Sequence, residues 1–294
     1  MNYPYFPGCN LFEKARVFDD TARAAAVRLG FSLKELADWT CCGATFPLAE
    51  DNNMALLSPA RVLAAGAKAG GDLVTLCAIC HNVLKRTNHV LATNPARRKT
   101  VMEFIEEEYD PTAKILHYLE VLRDRVGFGV VAGAVQKPLA GLKVGAYYGC
   151  LLLRPAAEMG FDDPDNPTIM EDLLRALGAT PVDFPMKTEC CSAFQVLHSE
   201  ATATRCSREI IESAQKCGAE MIVTACPLCQ FNVEERQGKI AEGRGDFKTL
   251  PVVYFTELLG LALGLGEASL DMGRHTVDPR PVLAGRGLLG EETP

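Results

Sequence analysis

Short apolar runs alternate with segments of helical periodicity along most of the chain, and a similar order of elements occurs twice. In the first half this pattern predicts the strands 3–6 and 72–76 and the helices 18–29, 59–69, 79–91 and 114–125. In the second half it predicts the strands 142–148, 180–184 and 220–225 and the helices 167–177, 204–217 and 228–236. The helix 59–69 is expected to begin after Ser58 as its N-cap, with Pro59 in the first helical position.

Alternating strands and helices are typical of α/β folds with mostly parallel strands. We therefore predict an α/β protein of two pseudo-repeated domains, each a small, mostly parallel sheet flanked by helices. The predicted boundaries are 1–137 for the N-terminal domain, 138–265 for the C-terminal domain and 266–294 for a C-terminal extension. The weakly patterned stretch 127–138 is expected to link the halves. The extension has no clear periodicity, which favours a loose tail or a partner-binding arm.

Ten of the twelve cysteines follow a duplicated order: a lone cysteine, an adjacent pair, and a Cys-x-x-Cys. The first set is Cys9, Cys41, Cys42, Cys77 and Cys80, and the second set is Cys150, Cys190, Cys191, Cys226 and Cys229. In both sets 34 residues separate the pair from the Cys-x-x-Cys, and these two elements recur 149 positions later. Because most of these cysteines fall at or just after predicted strands, they can converge at the carboxyl ends of the strands.

The lone cysteine recurs after only 141 positions, and an insertion in the loop-like run 162–167 explains the difference. The two cysteines outside the sets, Cys206 and Cys217, lie 11 positions apart in a predicted helix. This spacing puts them on roughly one face, so we expect both to pack against the core.

Composition narrows the class of protein. A chain of 294 residues suggests two domains, and 48% hydrophobic with 23% charged residues is ordinary for a soluble globular protein. The net charge of −7, without a dense block of Lys and Arg, argues against nucleic-acid binding. With no signal-like N-terminus and no apolar run of about 18 residues, we expect a cytoplasmic protein without a membrane span. Thiols stay reduced in that compartment, so clustered cysteines indicate metal or redox chemistry.

Five thiols per set fit some thiol chemistries better than others. Disulfides leave one cysteine over, and zinc needs four ligands, usually in knuckles about 15–20 residues apart. A thioredoxin-like dithiol needs only one Cys-x-x-Cys. Thiolates from three loops suit a polynuclear iron–sulfur centre, although cubane clusters usually use four cysteines in compact runs. Gly43 after the first pair allows close backbone approach, whereas Ser192 after the second pair can hydrogen-bond a sulfur.

The duplicated pattern resembles the cysteine-rich CCG domain, and two full copies in a chain of this length resemble the B subunit of heterodisulfide reductase. Ser192 departs from this pattern, in which glycine follows the pair. The resemblance implies two CCG domains, with one noncubane [4Fe-4S] cluster bound by each set of five cysteines. In that family the two clusters face a shared cavity, where a disulfide is cleaved in two one-electron steps. Electrons arrive from the iron–sulfur C subunit, which is itself supplied by the flavin-containing A subunit.

The resemblance thus implies the catalytic iron–sulfur subunit of a heterodisulfide reductase-like complex, acting on a disulfide or a sulfur carrier. One alternative is an electron-relay or scaffold subunit. Another is a sulfur-oxidation subunit that acts on a lipoate-bound sulfur carrier.

Two histidines are candidate proton donors to a thiolate leaving group. His81 directly follows Cys80, and His198 lies seven residues after Cys191. Basic side chains near the cysteine loops are candidates for binding an anionic substrate: Lys85, Arg86, Arg154 and Lys187. For the histidines the alternative is a satisfied ring at the surface or behind the ligands, and for the four basic side chains it is solvated surface charge.

Overall fold

Two four-stranded parallel sheets, one in each half, form the frame of the molecule. The computed structural model describes residues 1–44 and 52–289. The first sheet has the order β2-β1-β3-β4 and consists of β1 (Asn2–Tyr5), β2 (Ser32–Glu35), β3 (Leu73–Thr75) and β4 (Ile115–His117). The second has the order β6-β5-β7-β8 and consists of β5 (Lys143–Tyr147), β6 (Thr180–Val182), β7 (Met221–Thr224) and β8 (Val252–Tyr254). All paired strands are parallel.

Helices flank both sheets. Those of the first half are α1 (Cys9–Phe12), α2 (Arg16–Arg28), α3 (Asn53–Ala69), α4 (Ala78–Thr93), α5 (Pro95–Ile105), α6 (Tyr118–Glu120) with its π-helical continuation (Val121–Val126), and α7 (Phe128–Ala134). Those of the second half are α8 (Ala156–Met159), α9 (Ile169–Ala176), a 3-10 turn (Ala193–Gln195), α10 (Glu200–Lys216), α11 (Pro227–Gly243) and α12 (Phe255–Ala262). Further on lie α13 (Glu267–Leu270), a second 3-10 turn (Met272–Arg274) and α14 (Arg280–Ala284).

The predicted α/β class and the duplication are confirmed, since the second sheet repeats the strand order of the first. The central strands β3 and β7 are buried along their whole length, because helices cover both faces of a parallel sheet. Such strands read as short continuous apolar runs, which is why the sequence pattern located them.

The two halves share one hydrophobic core, and each contributes a helix that packs against the other. Helix α2 of the first half packs on α12 of the second, while α7 packs on α9. In the first of these contacts the rings of Phe18 and Tyr254 stack at 4.3 Å, and the hydroxyls of Thr21 and Thr256 lie 2.7 Å apart. This packing fixes how the two sheets are placed relative to each other.

Helix α3 begins earlier than predicted. Its N-cap is Asn52, whose side chain accepts a hydrogen bond from the Met54 N–H at 2.9 Å. Ser58 and Pro59 therefore lie inside the helix, so the predicted start is wrong. Pro59 lacks an N–H for the helical ladder, and a Ser-Pro pair normally marks a helix start for that reason. Gly70 ends the helix with a positive φ of 76°, as predicted.

Two segments expected to be irregular are ordered. The predicted linker 127–138 contains α7, which packs on the second half. The extension packs onto the core through buried side chains, so the prediction of a loose tail is wrong for residues 266–289: Leu270, Met272, Leu283, Leu288 and Leu289. Residues 290–294 lie outside the described residues, and the three domain boundaries stay predictions.

The predicted helix 114–125 begins instead as strand β4. The apolar residues at the start of this segment fit the periodicity of a strand as well as that of a helix. The sequence pattern therefore did not distinguish β4 from the helix that follows it.

Candidate metal centres

Each cysteine set lies at the carboxyl ends of three neighbouring parallel strands. In the first set Cys9 follows β1, the pair Cys41-Cys42 follows β2, and Cys77 follows β3. In the second set Cys150 follows β5, the pair Cys190-Cys191 follows β6, and Cys226 follows β7. The lone cysteine thus comes from the middle strand of the three, with the pair on one side and the Cys-x-x-Cys on the other. Parallel strands end at one edge, so residues far apart in sequence meet there.

The sulfur atoms of each set approach one another closely. In the first set Cys42 Sγ lies 3.5 Å from Cys80 Sγ, and Cys9 Sγ lies 3.7 Å from Cys41 Sγ. The contact that corresponds to the first of these occurs in the second set, where Cys191 Sγ and Cys229 Sγ are also 3.5 Å apart. All twelve cysteines, which lie in the described part of the chain, are free thiols. Within residues 1–44 and 52–289, no three Cys, His, Asp or Glu side chains are grouped so that they could hold one metal ion.

Each set has a buried and an accessible side. Cys42, Cys77 and Cys80 are buried, as are their counterparts Cys191, Cys226 and Cys229. The remaining members are exposed or half-buried: Cys9, Cys41, Cys150 and Cys190. A group held by either set is therefore embedded on one side and reachable on the other.

A glycine in front of each lone cysteine makes room for a sulfur. A Cβ on Gly8 would lie 2.8 Å from Cys80 Sγ, and one on Gly149 would lie 3.2 Å from Cys229 Sγ. Both glycines also have positive φ, 77° and 64°. Only glycine satisfies both demands. The repeated Gly-Cys dipeptide was visible in the sequence, but its role depends on a sulfur some 70 to 80 residues away.

The loops that carry the double cysteines are held by different side chains in the two halves. In the first half the Ser58 hydroxyl donates a hydrogen bond to the Cys41 carbonyl oxygen. In the second half Asn232 Nδ2 donates to the Cys191 carbonyl oxygen at 2.6 Å, and the Tyr147 hydroxyl donates to the Glu189 carbonyl oxygen at 2.7 Å. These supports reach across from other elements, so they leave no local signal in the sequence.

Ser192 occupies the left-handed conformation that its counterpart Gly43 also adopts, with φ of 60° and 81° respectively. Its backbone N–H contacts Cys190 Sγ at 3.3 Å, whereas its hydroxyl donates to Cys206 Sγ at 3.2 Å. The predicted hydroxyl–sulfur bond therefore forms, but to a cysteine outside the set. Cys206 is half-buried, while Cys217 is exposed, so the predicted packing role is wrong for Cys217.

Contacts between close thiols shift the acidity of several of the sulfurs. Hydrogen bonds from Cys41 and Cys80 lower the pKa of the Cys42 thiol to about 4, although burial opposes this. A hydrogen bond from Cys150 likewise lowers the pKa of Cys190 to about 6. Cys77 and Cys226 are the N-caps of α4 and α11, where the helix dipole favours negative charge. The same thiol contacts raise the pKa of the partner thiols Cys41, Cys80, Cys150 and Cys229, so in each close pair one sulfur is favoured as the thiolate, the form that binds metal.

The two sets are neighbours. The Ala78 N–H, inside the first Cys-x-x-Cys, donates to the carbonyl oxygen of Ala225, which precedes the second, at 3.1 Å. A cavity lined by Cys150, Cys190, Cys191, Cys226 and Cys229 is also lined by Ala78 and Ile79 of the first half. The turn that carries the first Cys-x-x-Cys thus forms part of the wall around the second set.

The two stretches that contain the cysteine sets match a known domain family. The cysteine-rich domain family CCG matches residues 3–85 and 144–234. The chain belongs to the CCG family. Among its relatives are several B subunits of heterodisulfide reductase, as the sequence pattern predicted.

Three curated relatives of this CCG protein span nearly its whole length. It is 33% identical to the 8-methylmenaquinol:fumarate reductase membrane anchor subunit of Wolinella succinogenes, over 94% of this chain and 97% of that protein. It is 27% identical to the B subunit of the ferredoxin:CoB-CoM heterodisulfide reductase of Methanosarcina mazei, over 95% of each chain. A protein of Archaeoglobus profundus that is named as similar to the heterodisulfide reductase B subunit is 28% identical over 90% of this chain and 91% of its own.

A solved structure shares the fold. It is that of a hypothetical protein from Helicobacter pylori, with a TM-score of 0.73 and 13% identity, covering 93% of this chain. The CCG protein spans about half (51%) of that longer chain. Within residues 1–44 and 52–289, no helix combines the length and apolar character needed to cross a membrane.

The two candidate proton donors lie in different surroundings. His81 is buried on α4, with Nε2 3.2 Å from Glu120 Oε2 and its ring next to that of His117. Burial keeps His117 neutral and lowers its pKa to about 3. His198 is exposed, in the turn after the 3-10 segment. Neither histidine is shown to reach a substrate, so proton donation by them stays a prediction.

Three of the four basic candidates hold protein loops. Lys187 is buried, with Nζ 3.0 Å from Glu171 Oε1 and 3.1 Å from the Pro167 carbonyl oxygen. Arg154 donates to the Thr188 carbonyl oxygen at 3.0 Å, and Lys85 donates to the Met159 carbonyl oxygen. These contacts shape the loops around the second set, and the alternative of solvated surface charge is wrong for the buried Lys187. Arg86 is half-buried on α4.

Asn82 is a site residue that the sequence did not reveal. It lies two residues after Cys80, and its Nδ2 donates to the carbonyl oxygens of Leu151 at 2.7 Å and Arg154 at 2.8 Å. Asn82 therefore ties the first Cys-x-x-Cys helix to the loop that follows Cys150. The sequence shows only that a polar residue lies near a cysteine motif. The carbonyl oxygens that Asn82 binds belong to the other half of the chain, so its role could not be predicted.

Proposed function

We propose that this CCG protein is the catalytic iron–sulfur subunit of a heterodisulfide reductase-like complex, which cleaves or forms a sulfur–sulfur bond. The observation that carries the proposal is the contact between two complete cysteine sets, through the hydrogen bond from Ala78 to Ala225. A disulfide has two sulfur atoms, and two adjacent metal centres can receive one each. An electron relay needs only one cluster per step, so the contact between two complete sets favours a reaction that uses both.

In this proposal the first set holds one noncubane [4Fe-4S] cluster and the second set holds the other. The donor chemistry fits, because soft thiolates select iron–sulfur clusters and each set supplies five of them from three loops. When bound, the clusters supply electrons one at a time. Reduction of the disulfide consumes two electrons and two protons and releases two thiols.

The residues of the chain then have separate tasks. Gly8 and Gly149 let the sulfurs approach the backbone, and Ser58 and Asn232 hold the double-cysteine loops. The exposed His198 is the better placed of the two proposed proton donors, because His81 lies beneath the first set and pairs with Glu120. The proposed partners are proteins like the iron–sulfur C subunit and the flavin-containing A subunit, in the cytoplasm.

A second candidate function is favoured by the 33% identity to the anchor subunit of a menaquinol:fumarate reductase. In that case the protein is an electron-relay subunit that links a quinol to a reductase, and no disulfide binds. The two functions share the clusters and differ in the molecule that exchanges electrons with them.

The test uses the full chain, purified without oxygen with its clusters and reduced stepwise. Electron paramagnetic resonance spectra are recorded with the CoM–CoB heterodisulfide, lipoamide or a soluble menaquinol analogue. Under the first function a disulfide changes the spectrum of at least one cluster and is converted to thiols. If no disulfide changes the spectrum and the quinol analogue reduces the clusters, the first function is refuted and the relay function is supported. The Cys217→Ser variant, which alters an exposed cysteine outside both sets, serves as the control.

A further inference from the structure

A buried carboxylate occupies the same place in both halves, behind each Cys-x-x-Cys turn. Glu120 follows β4, and its Oε2 accepts a hydrogen bond from the His117 N–H at 2.7 Å. Glu257 follows β8, and its Oε2 accepts one from the Tyr254 N–H, also at 2.7 Å. Their relative exposures are only 6% and 0%. A buried carboxylate is costly without a compensating positive group, so each site needs a partner.

Each carboxylate has an imidazole beside it, but the two rings come from different parts of the chain. In the first half it is His81, directly after Cys80, with Nε2 3.2 Å from Glu120. The position equivalent to His81, 149 residues later, is Gln230. In the second half the imidazole is His275, from the C-terminal extension, with Nε2 2.9 Å from Glu257 Oε1.

His275 lies between two carboxylates and next to the second Cys-x-x-Cys helix. Its Nδ1 is 3.1 Å from Glu234 Oε1 of α11, opposite the contact with Glu257 of α12. Gln230 directly follows Cys229, and its Nε2 lies 3.4 Å from His275 Nδ1 and donates to Glu234 Oε2 at 2.6 Å. Within the extension, the charge of His275 helps to lower the pKa of Asp278, after the larger effect of Arg280.

The protonation of His275 follows from these contacts. Burial disfavours the charged ring, but the hydrogen bonds to Glu234 and Glu257 outweigh it and raise the pKa of His275 to about 10. The local charge is then −1, from two carboxylates and one imidazolium. Without the ring it is −2, in a buried place beside helix α11, whose N-cap is Cys226.

We propose that His275 is a positioning residue for the second cysteine set, which docks the C-terminal extension on α11 and α12 and holds positive charge behind the cluster bound by that set. The extension thereby places an imidazole beside Glu257, as α4 places His81 beside Glu120. This inference rests on the proposed function only in that the sets hold iron–sulfur clusters. It requires neither a disulfide substrate nor a quinol. A positive charge near a cluster favours the reduced, more negative state and raises its reduction potential.

The experiment compares wild type with His275→Gln in the full chain loaded with clusters. A spectroscopic redox titration follows both clusters, and limited proteolysis follows the extension. We expect one cluster to shift to lower potential while the other stays, and we expect faster cleavage within 266–289. The control His89→Gln, an exposed histidine on α4, should change neither quantity.

A double variant separates the charge of His275 from its packing. His275→Gln combined with Glu234→Gln removes one positive and one negative charge, which restores the wild-type local charge of −1. It should recover the potential and much of the protection from proteolysis. Unchanged potentials in His275→Gln overturn the proposal, whether or not cleavage accelerates, because faster cleavage alone would mean a merely structural role. If the shift occurs without any disulfide reaction, this inference stands and the proposed function fails.

Discussion

Replacement of Gly8 by alanine should remove the cluster that we propose for the first half while leaving that of the second. Gly8 has a φ of 77°, and an alanine Cβ there would lie 2.8 Å from Cys80 Sγ. That separation is well inside van der Waals contact, and the sulfur belongs to a buried residue at the start of α4. The loop with Cys9 or the sulfur of Cys80 must move, and either shift breaks the arrangement of the five thiols.

Two contributions to the loss of stability, the strained backbone conformation and the overpacking, can be separated by comparing two glycines. The left-handed conformation costs an alanine about 1–2 kcal/mol, and overpacking of a filled site costs about 1–3 kcal/mol more. Gly8→Ala should therefore reduce the free energy of unfolding by about 2–5 kcal/mol. Gly30 has nearly the same φ, 80°, but a Cβ added to it would have no neighbouring atom within 4 Å. Gly30→Ala should lose only the conformational part, about 1–2 kcal/mol.

Iron and sulfide content, cluster absorbance and denaturant unfolding of both variants measure these effects. Gly8→Ala should bind about half of the wild-type iron, and Gly30→Ala should bind all of it. Gly149→Ala should fall between them, because its Cβ would be 3.2 Å from Cys229 Sγ. If Gly8→Ala keeps its full iron and is no less stable than Gly30→Ala, the close approach of glycine and sulfur has no role in cluster binding.

Other perturbations test the ligands, their supports and the charge at the tail. Cys41→Ser and Cys191→Ser should each lose the iron of one set only; if both keep all their iron, the ligand assignment is wrong. Asn232→Leu should cost about 1–3 kcal/mol, as measured by denaturant unfolding, because the Cys191 carbonyl loses its buried donor. Since the pKa of His275 rises to about 10 on folding, its stabilisation is complete below about pH 6.5 and is lost as pH rises to 10. Between about pH 6.5 and 10, the free energy of unfolding should therefore fall less with rising pH in His275→Gln than in the wild type.

Those features that depend on local pattern or on repetition could be predicted from the sequence. The buried strands β3 and β7 are short apolar runs, and the duplicated cysteines mark where strands end. Once the strands are parallel, convergence of each set follows from topology alone. The contact between the two sets does not follow, because it depends on how α2 packs on α12 and α7 on α9.

The errors have a common physical cause, which is competition between a local signal and a distant partner. Ser58 and Pro59 form a good local helix start, yet the Ser58 hydroxyl bonds to the Cys41 carbonyl oxygen, and the helix begins at Asn53. The extension lacks periodicity, but Leu270 and Leu283 are fully buried and His275 pairs with distant carboxylates. Tertiary contacts such as these leave no periodic trace in the sequence.

The two sets have equivalent thiols but unequal surroundings, so a difference between the two proposed clusters should come from the residues that support them. Both halves place a sulfur contact of 3.5 Å at the same positions. Around the first set, Gly43 leaves its turn without a side chain and His81 is part of α4 itself. Around the second, Ser192 donates to Cys206 and the imidazole is brought by a separate segment. If His275 holds charge behind the second set as proposed, its loss changes the charge there and leaves the first set unaltered, so the second cluster is the one whose potential depends on the docked extension.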